Sequence, residues 1–242
     1  MKMLIFAKRC AKEILRDPLN LVFGLGFPVA LLLLLSAIQA NVPVELFNIE
    51  TLTPGITVFG LSFLTLFSAT LVAKDRESAF LQRLYTTPLK PADYILGYML
   101  PILPIAVTQC CVCYVIAIAL GLPLTVNTLF AILTIIPISV FYIALGLLFG
   151  SICNVKQVGG FCGALLTNLS AWLSGIWFDL DLVGGIFSKI ANLLPFVHAV
   201  ELERAVLNGN YVGLWRIYPV LSYALLSVTS AIILFLQQMK RQ

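Results

Sequence analysis

Six apolar runs govern what this chain can become: residues 19–38, 54–73, 97–120, 129–152, 158–178 and 217–236. None has an Asp, Glu, Lys, Arg or His in its central part. A helix needs about 20 consecutive apolar residues to cross a bilayer, and in hydrocarbon its backbone amides must be satisfied within the segment. The runs therefore read as six transmembrane helices joined by short connections. Composition agrees, since 60% of the 242 residues are hydrophobic and only 11% are charged. A water-soluble fold of that make-up would expose large apolar patches. The expected fold class is all-α, one polytopic membrane domain over residues 1–242.

Charge decides which way the spans point. With the N-terminus inside, one side collects Lys2, Lys8, Arg9, Lys12, Arg16, Lys74, Arg76, Arg83, Lys90, Lys156, Lys240 and Arg241, twelve cations against Lys189, Arg204 and Arg216 on the other. The positive-inside rule then places both termini in the cytoplasm of a multi-pass protein of the cell membrane. Cations beside apolar spans answer to topology and to membrane lipid, so the net charge of +4 implies no nucleic-acid partner.

Three segments outside the spans carry patterns of their own. Residues 1–17 form an amphipathic helix, with Lys2, Lys8, Arg9, Lys12, Glu13 and Arg16 on one arc and Met3, Leu4, Phe6, Ala7, Cys10, Ala11, Ile14 and Leu15 on the other. Such a helix lies in the membrane interface, and Asp17-Pro18 breaks it before the first span. Residues 74–96, KDRESAFLQRLYTTPLKPADYIL, place a charged helix between spans two and three. Thr86-Thr87-Pro88 ends it, because proline biases its predecessor away from helix and supplies no amide, and Pro91 precedes a fresh helical start. Residues 179–216 are too long for a turn. Their stretch 182–194 is apolar but too short to span, which fits a re-entrant or interfacial helix. Pro195 then opens a second helix with Glu201, Glu203 and Arg204 as its polar face and Asn208-Gly209 as its stop. The pair reads as an external cap.

No catalytic or metal-ligating set stands out. His198 is alone and reads as a packed side chain. The six cysteines fall in or beside spans or on the cytoplasmic side, which argues against a disulfide framework, and Cys110-Cys111-x-Cys113 reads as helix packing. There is no Gly-Lys-Ser/Thr phosphate loop. A proton- or ion-coupled carrier places ionisable groups within its spans; their absence means that energy enters from outside the membrane domain. Phe59, Phe63 and Phe67 recur every four residues as one stripe on span two, ordinarily a core or lipid-facing stripe and alternatively a cargo surface. Gly146-x-x-x-Gly150 and Gly159-x-x-x-Gly163 allow close helix approach, either within one chain or between two.

Together these features resemble the membrane subunit of a type-2 ABC exporter. The helix ending in Arg16-Asp17-Pro18 is similar to that family's elbow helix. Arg76-Glu77, Leu81, Leu84, Thr87-Pro88-Leu89 and Tyr94-Ile95-Leu96-Gly97 resemble its stretch after span two, and Leu194-Pro195, His198-Ala199 and Arg204 its segment between spans five and six. The short external segment between spans one and two lacks the large soluble insert of some relatives.

The resemblance implies a permease without enzymatic activity, paired with a second copy or a paralogue above two ABC ATP-binding subunits. ATP and Mg would reside on those subunits, with no cofactor in this chain. Residues 76–85 would form the coupling helix, with Phe80, Leu81 and Leu84 as apolar anchors and Arg76, Glu77 and Arg83 as charged contacts to the ATPase. Spans two and five would line the path, making Phe59, Phe63, Phe67, Asn168 and Trp172 candidate cargo contacts. The implied function is ATP-driven export of a drug, an antimicrobial peptide or a lipid. The rival reading is a non-transporting six-span immunity or sensor protein that docks a cytoplasmic partner.

Overall fold

The computed structural model describes residues 2–43, 47–78, 80, 91–178 and 180–240, and among these it contains helices and turns but no strand. Helix α1 is Lys2–Leu15. Residues 18–41 form α2, in which a π-helical turn, Val22–Gly26, joins Pro18–Leu21 to Phe27–Asn41. Helix α3 is Ile49–Glu77, α4 is Pro91–Ala119 and α5 is Val126–Ile152. Helix α6 covers residues 155–173, with a π-helical stretch, Gly159–Leu166, between Val155–Val158 and Thr167–Leu173. Then come α7, Leu180–Val183, α8, Gly185–Leu193, and α9, Pro195–Leu207. A 3-10 turn, Tyr211–Arg216, runs directly into α10, Ile217–Lys240.

Among the described residues five helical segments are long and apolar enough to cross a membrane: Val22–Asn41, Ile49–Glu77, Ala92–Ala119, Val126–Ile152 and Tyr211–Gln237. The expected fifth span, 158–178, is not among them. Its helix, α6, stops at Leu173, and Gly175 at φ +70° turns the chain before Phe178. Lys156, Gln157 and Asn168 also dilute its apolar content. Its start is well defined, because Asn154 Oδ1 accepts from Gln157 N at 2.8 Å and Gln157 Oε1 accepts from Asn154 N at 3.0 Å, a reciprocal cap.

The charged segment after span two also differs from expectation at its start. Lys74, Asp75, Arg76 and Glu77 are the last turn of α3 and not the first of a separate helix. No glycine or proline interrupts the chain between Ala73 and Glu77, so the span's own hydrogen-bond ladder continues through the charges. Residues 79 and 81–90, with most of the expected coupling helix, lie outside the described residues. The restart at Pro91 and the helix from Pro195 fall where the punctuation placed them, the latter closed by Asn208 and by Gly209 at φ +67°.

Helix α3 is the axis of the bundle. In its most apolar window 83% of residues are buried, against 22–50% in the other four candidates. It packs against α2, α4, α5, α6 and α9. Its seam with α5 is the closest, because a Cβ on Gly146 would lie 1.9 Å from Ser68 Oγ and 2.3 Å from Thr65 O, and one on Gly150 2.6 Å from Ala69 O. Polar groups bridge the same seam: Thr65 Oγ1 donates to Tyr142 O at 2.9 Å, and Ser68 Oγ lies 3.2 Å from Ile143 O. The first small-residue motif therefore packs within the chain. A Cβ on Gly159 or Gly160 would meet nothing within 4 Å, so the second motif is largely open. Exposed leucines, isoleucines and valines on α2, α5 and α10, such as Leu34, Leu133 and Leu225, form the apolar exterior that a lipid environment solvates.

Gly146→Ala must push α5 off α3, because its nearest neighbours include backbone. It is expected to lower the thermal unfolding temperature of the purified chain by several degrees, while Gly159→Ala leaves it unchanged or raises it. Equal unfolding temperatures for the two variants would contradict the seam.

Candidate functional site

The polar groups gather at the two ends of α3, which at 29 residues is about 43 Å long. At its C-terminal end Asp75 is almost fully buried. The Arg9 guanidinium grips it with two parallel hydrogen bonds, one of them 2.6 Å from Nη2 to Oδ1, and the Tyr98 hydroxyl donates to Oδ2 at 2.8 Å. Arg9 also reaches Glu13 at 2.7 Å and lies 4.2 Å from the centre of the Phe80 ring. A bidentate arginine–carboxylate pair fixes orientation as well as distance. It can form here because Phe6 packs edge-on against Tyr98 at 4.8 Å over Gly97, whose missing side chain would stand 2.3 Å from the Phe6 ring. Helix α1 is thus clamped on α3 and α4 through Phe6, Cys10 and Ile14, while Leu4, Ile5 and Leu15 remain exposed.

One residue further on, Arg76 donates to the carbonyls of Ser151, Ile152 and Cys153, the last at 2.6 Å. These carbonyls lie at the C-terminal end of α5, so a cation there opposes the negative end of the helix dipole. Glu77 does the converse at the start of α6, where its Oε1 accepts from Val155 N at 2.8 Å. Of the residues expected to meet an ATPase, Arg76 and Glu77 are engaged in these intrachain bonds and Phe80 is half-buried under Arg9. Leu81, Arg83 and Leu84 lie outside the described residues. Arg9, Asp75 and Tyr98 were missed from the sequence. The available signal was an acid two residues past an apolar span and an arginine on an amphipathic helix.

The candidate cargo residues do not converge on one surface. Phe59 and Phe67 are buried and Phe63 half-buried, with Phe63 at 5.3 Å from Phe27 and 5.9 Å from Phe59. Gly24 leaves room for the Phe67 ring. The stripe is thus the packing surface between α2 and α3, extended by Trp177 at 6.2 Å from Phe59. Asn168 and Trp172 lie one turn apart on the exposed face of α6, with Trp172 61% exposed beside Leu165 and Leu169. The buried face of α6 meets α5 through Tyr142 and Ser170, whose hydroxyls are 3.0 Å apart.

At the N-terminal end of α3, helix α9 closes the bundle. Arg204 donates to Glu201 Oε1 at 2.8 Å, to Thr51 O at 3.2 Å and to Gly175 O at 3.1 Å, joining α9 to α3 and to the turn after α6. Arg216 stands 4.0 Å from Glu201. Thr51, Trp177, Asn192 and these three ionised residues line an open cavity of about 450 Å³. His198 is a packed side chain, with Nε2 2.9 Å from Asn192 O, its ring against Trp215 and its pKa lowered by burial.

Glu203 departs from the expected polar face. It is fully buried, its Oε1 accepting from the Tyr114 hydroxyl at 2.9 Å and its Oε2 lying 2.7 Å from Thr134 Oγ1. Burial pushes its pKa up to about 8, against the opposing effect of the two hydroxyls. Spacing held the clue: Ala199, Val200, Val206 and Leu207, three and four residues away on either side, share its helix face and are all buried. Among the described residues no group of three or more His, Cys, Asp or Glu side chains could hold a metal ion.

The family model for ABC-2 type transporter matches residues 1–208, from α1 through α9. No curated protein matches the chain.

Arg9→Ala would leave Asp75 buried without its counter-charge. Breaking a fully buried pair costs about 3–5 kcal/mol, and the 35% exposure of Arg9 brings the expected loss of unfolding free energy to about 2–3 kcal/mol. Lys12→Ala, on the same helix, is expected to cost less than about 0.5 kcal/mol. Chemical denaturation of the two variants in detergent checks the difference.

Proposed function

The chain belongs to the ABC-2 type transporter family, the permease component of type-2 ABC transporters, and from that membership we propose an exporter subunit driven through the α1 end of its bundle. A permease of this kind works with an ATP-binding partner, which supplies the nucleotide chemistry. The proposed partner is a separate subunit that docks on residues 76–85 from the cytoplasm, with Phe80, Leu81 and Leu84 as anchors and Arg83 as a charged contact. ATP and Mg are carried by that subunit, and both termini of this chain face it.

The observation that carries this reading is the convergence on one turn of α3. Asp75 holds α1, Arg76 holds the end of α5 and Glu77 holds the start of α6. The partner's proposed seat overlaps that turn and continues beyond it, so a displacement of the seat acts on four helices together. Contacts made by Arg76 and Glu77 to their own chain do not weaken this; they make those residues the transmission behind the anchors.

Two further elements complete the proposed transporter. Helix α6, at 19 residues, is about 28 Å long, close to the thickness of a bilayer's hydrocarbon core, and serves as the fifth of six spans. Its exposed face, with Asn168 and Trp172 and the open Gly159 and Gly160, is turned toward the second copy or paralogue and toward an amphipathic or hydrophobic cargo. The stripe of Phe59, Phe63 and Phe67 supports that path from behind. Helices α7 to α9 close the external end.

Co-expression with the ATP-binding subunit and capture through this chain tests the proposal. Phe80→Asp with Leu84→Asp is expected to reduce both ATPase recovery and cargo export at least tenfold while the permease still reaches the membrane. Unchanged recovery and unchanged export would refute docking at this segment.

A further inference from the structure

Thr134 holds the key to the state of Glu203. Its Oγ1 lies 2.8 Å from Ala131 O as well as 2.7 Å from Glu203 Oε2. A threonine hydroxyl has one hydrogen, and a backbone carbonyl only accepts. When that hydrogen goes to Ala131 O, the contact between Oγ1 and Oε2 needs a second hydrogen, and the carboxyl is the group that supplies it. The Tyr114 hydroxyl spends its own hydrogen on Oε1. In that arrangement the acid proton completes an unbroken chain, in which Tyr114 donates to Glu203, Glu203 donates to Thr134 and Thr134 donates to the Ala131 carbonyl; with the acid ionised, the Thr134 hydrogen turns to Oε2 instead.

The surroundings favour the same state. From α4 the carboxyl faces Tyr114 and the thiol of Cys110, and from α5 the hydroxyl of Thr134. The neighbouring stretch of α3 contributes Thr53 and Thr57, whose hydroxyls donate to Ile49 O and Thr53 O. On α9 itself Arg204 is turned to Glu201, with Arg216 of the 3-10 turn 4.0 Å from the same carboxylate, and His198 is turned to Asn192. Glu50 on α3 and Lys189 on α8 are exposed. No cation among the described residues bears on Glu203. An ionised carboxylate would be buried with two hydroxyls and no counter-charge beside it, which is costlier than the neutral acid.

We propose that Glu203 is a proton-binding site, whose bound proton bridges α9 to α4 and α5 and whose loss releases α9 from them. The site is independent of which cargo the protein moves and of where an ATPase docks. It makes the closure at this end of the bundle sensitive to pH. The folded chain keeps a proton that the unfolded chain gives up between about pH 4.5 and about 8. Stability follows the difference in bound protons between the unfolded and folded states, so the contribution is complete below the lower value and is lost as pH rises through the upper one. Glu203→Gln reproduces the hydrogen-bond chain without a titratable group, its amide oxygen accepting from Tyr114 and its amide N–H donating to Thr134.

The test is infrared spectroscopy of the full-length chain in lipid nanodiscs, titrated from pH 5 to pH 10. The C=O stretch of a protonated, buried carboxylic acid is expected at neutral pH, half lost near pH 8, and absent in Glu203→Gln. The unfolding temperature should fall over the same pH range in the wild-type chain, and that fall should be smaller in Glu203→Gln. Tyr114→Phe removes a donor to the ionised form, so it should move the midpoint of the band to higher pH. The proposal is overturned if the wild-type chain lacks the band at neutral pH, if the band persists in Glu203→Gln, or if Tyr114→Phe leaves the midpoint in place.

Discussion

Two helices, α3 and α5, lie so close that side chains at Gly146 and Gly150 would overlap backbone of the opposite helix. That contact is the constraint on which the remaining architecture rests. In hydrocarbon there is no hydrophobic drive between apolar helices, so association depends on close van der Waals approach and on hydrogen bonds that lipid cannot replace. The seam has both, with glycines to bring the backbones together and Thr65 and Ser68 to reach the carbonyls across it. Everything else is placed relative to this pair. Helices α2, α4, α6 and α9 pack against α3, and α10 packs against α5.

The ends of the same pair carry the charges. At one end three consecutive side chains of α3, Asp75, Arg76 and Glu77, reach α1, α4, α5 and α6 through charge-assisted hydrogen bonds. At the other end Arg204 takes the Thr51 carbonyl from the first turns of α3, and Glu203 fills the gap between α4 and α5 with a hydrogen-bonded acid. The apolar middle therefore supplies rigidity, while the polar ends supply the attachments through which motion can enter or be resisted. Such a division suits a permease that contains no nucleotide motif and takes its work from a partner.

Much of this could be read from the residues. Apolar runs that exclude charge announced α2, α3, α4, α5 and α10, and Pro91, Pro195 and Asn208-Gly209 marked helix boundaries through fixed backbone angles and missing amides. What could not be read depended on which face of a helix meets which neighbour. Lys74 to Glu77 looked like the beginning of something new because polarity changes there, but a hydrogen-bond ladder ends only where a residue breaks it, and none does. Glu203 looked exposed because acids in amphipathic helices ordinarily are, although its flanking apolar spacing pointed inward. The aromatic stripe of Phe59, Phe63 and Phe67 gave a correct face but no partner, since only the packed bundle shows α2 covering it. Gly159 and Gly163 repeat the spacing of Gly146 and Gly150, and the spacing alone does not distinguish the motif that is used within the chain from the one left open.

The central claim is that the last turn of α3 and the end of α5 travel as one body when the partner subunit binds ATP. Spin labels at Lys74 and Ile152, both exposed, report it directly through their distance distribution in the assembled transporter. The account predicts the same distribution without nucleotide and with ATP bound under conditions that prevent hydrolysis. A shift or broadening of that distance on ATP binding would show that the two helices separate, and would contradict it.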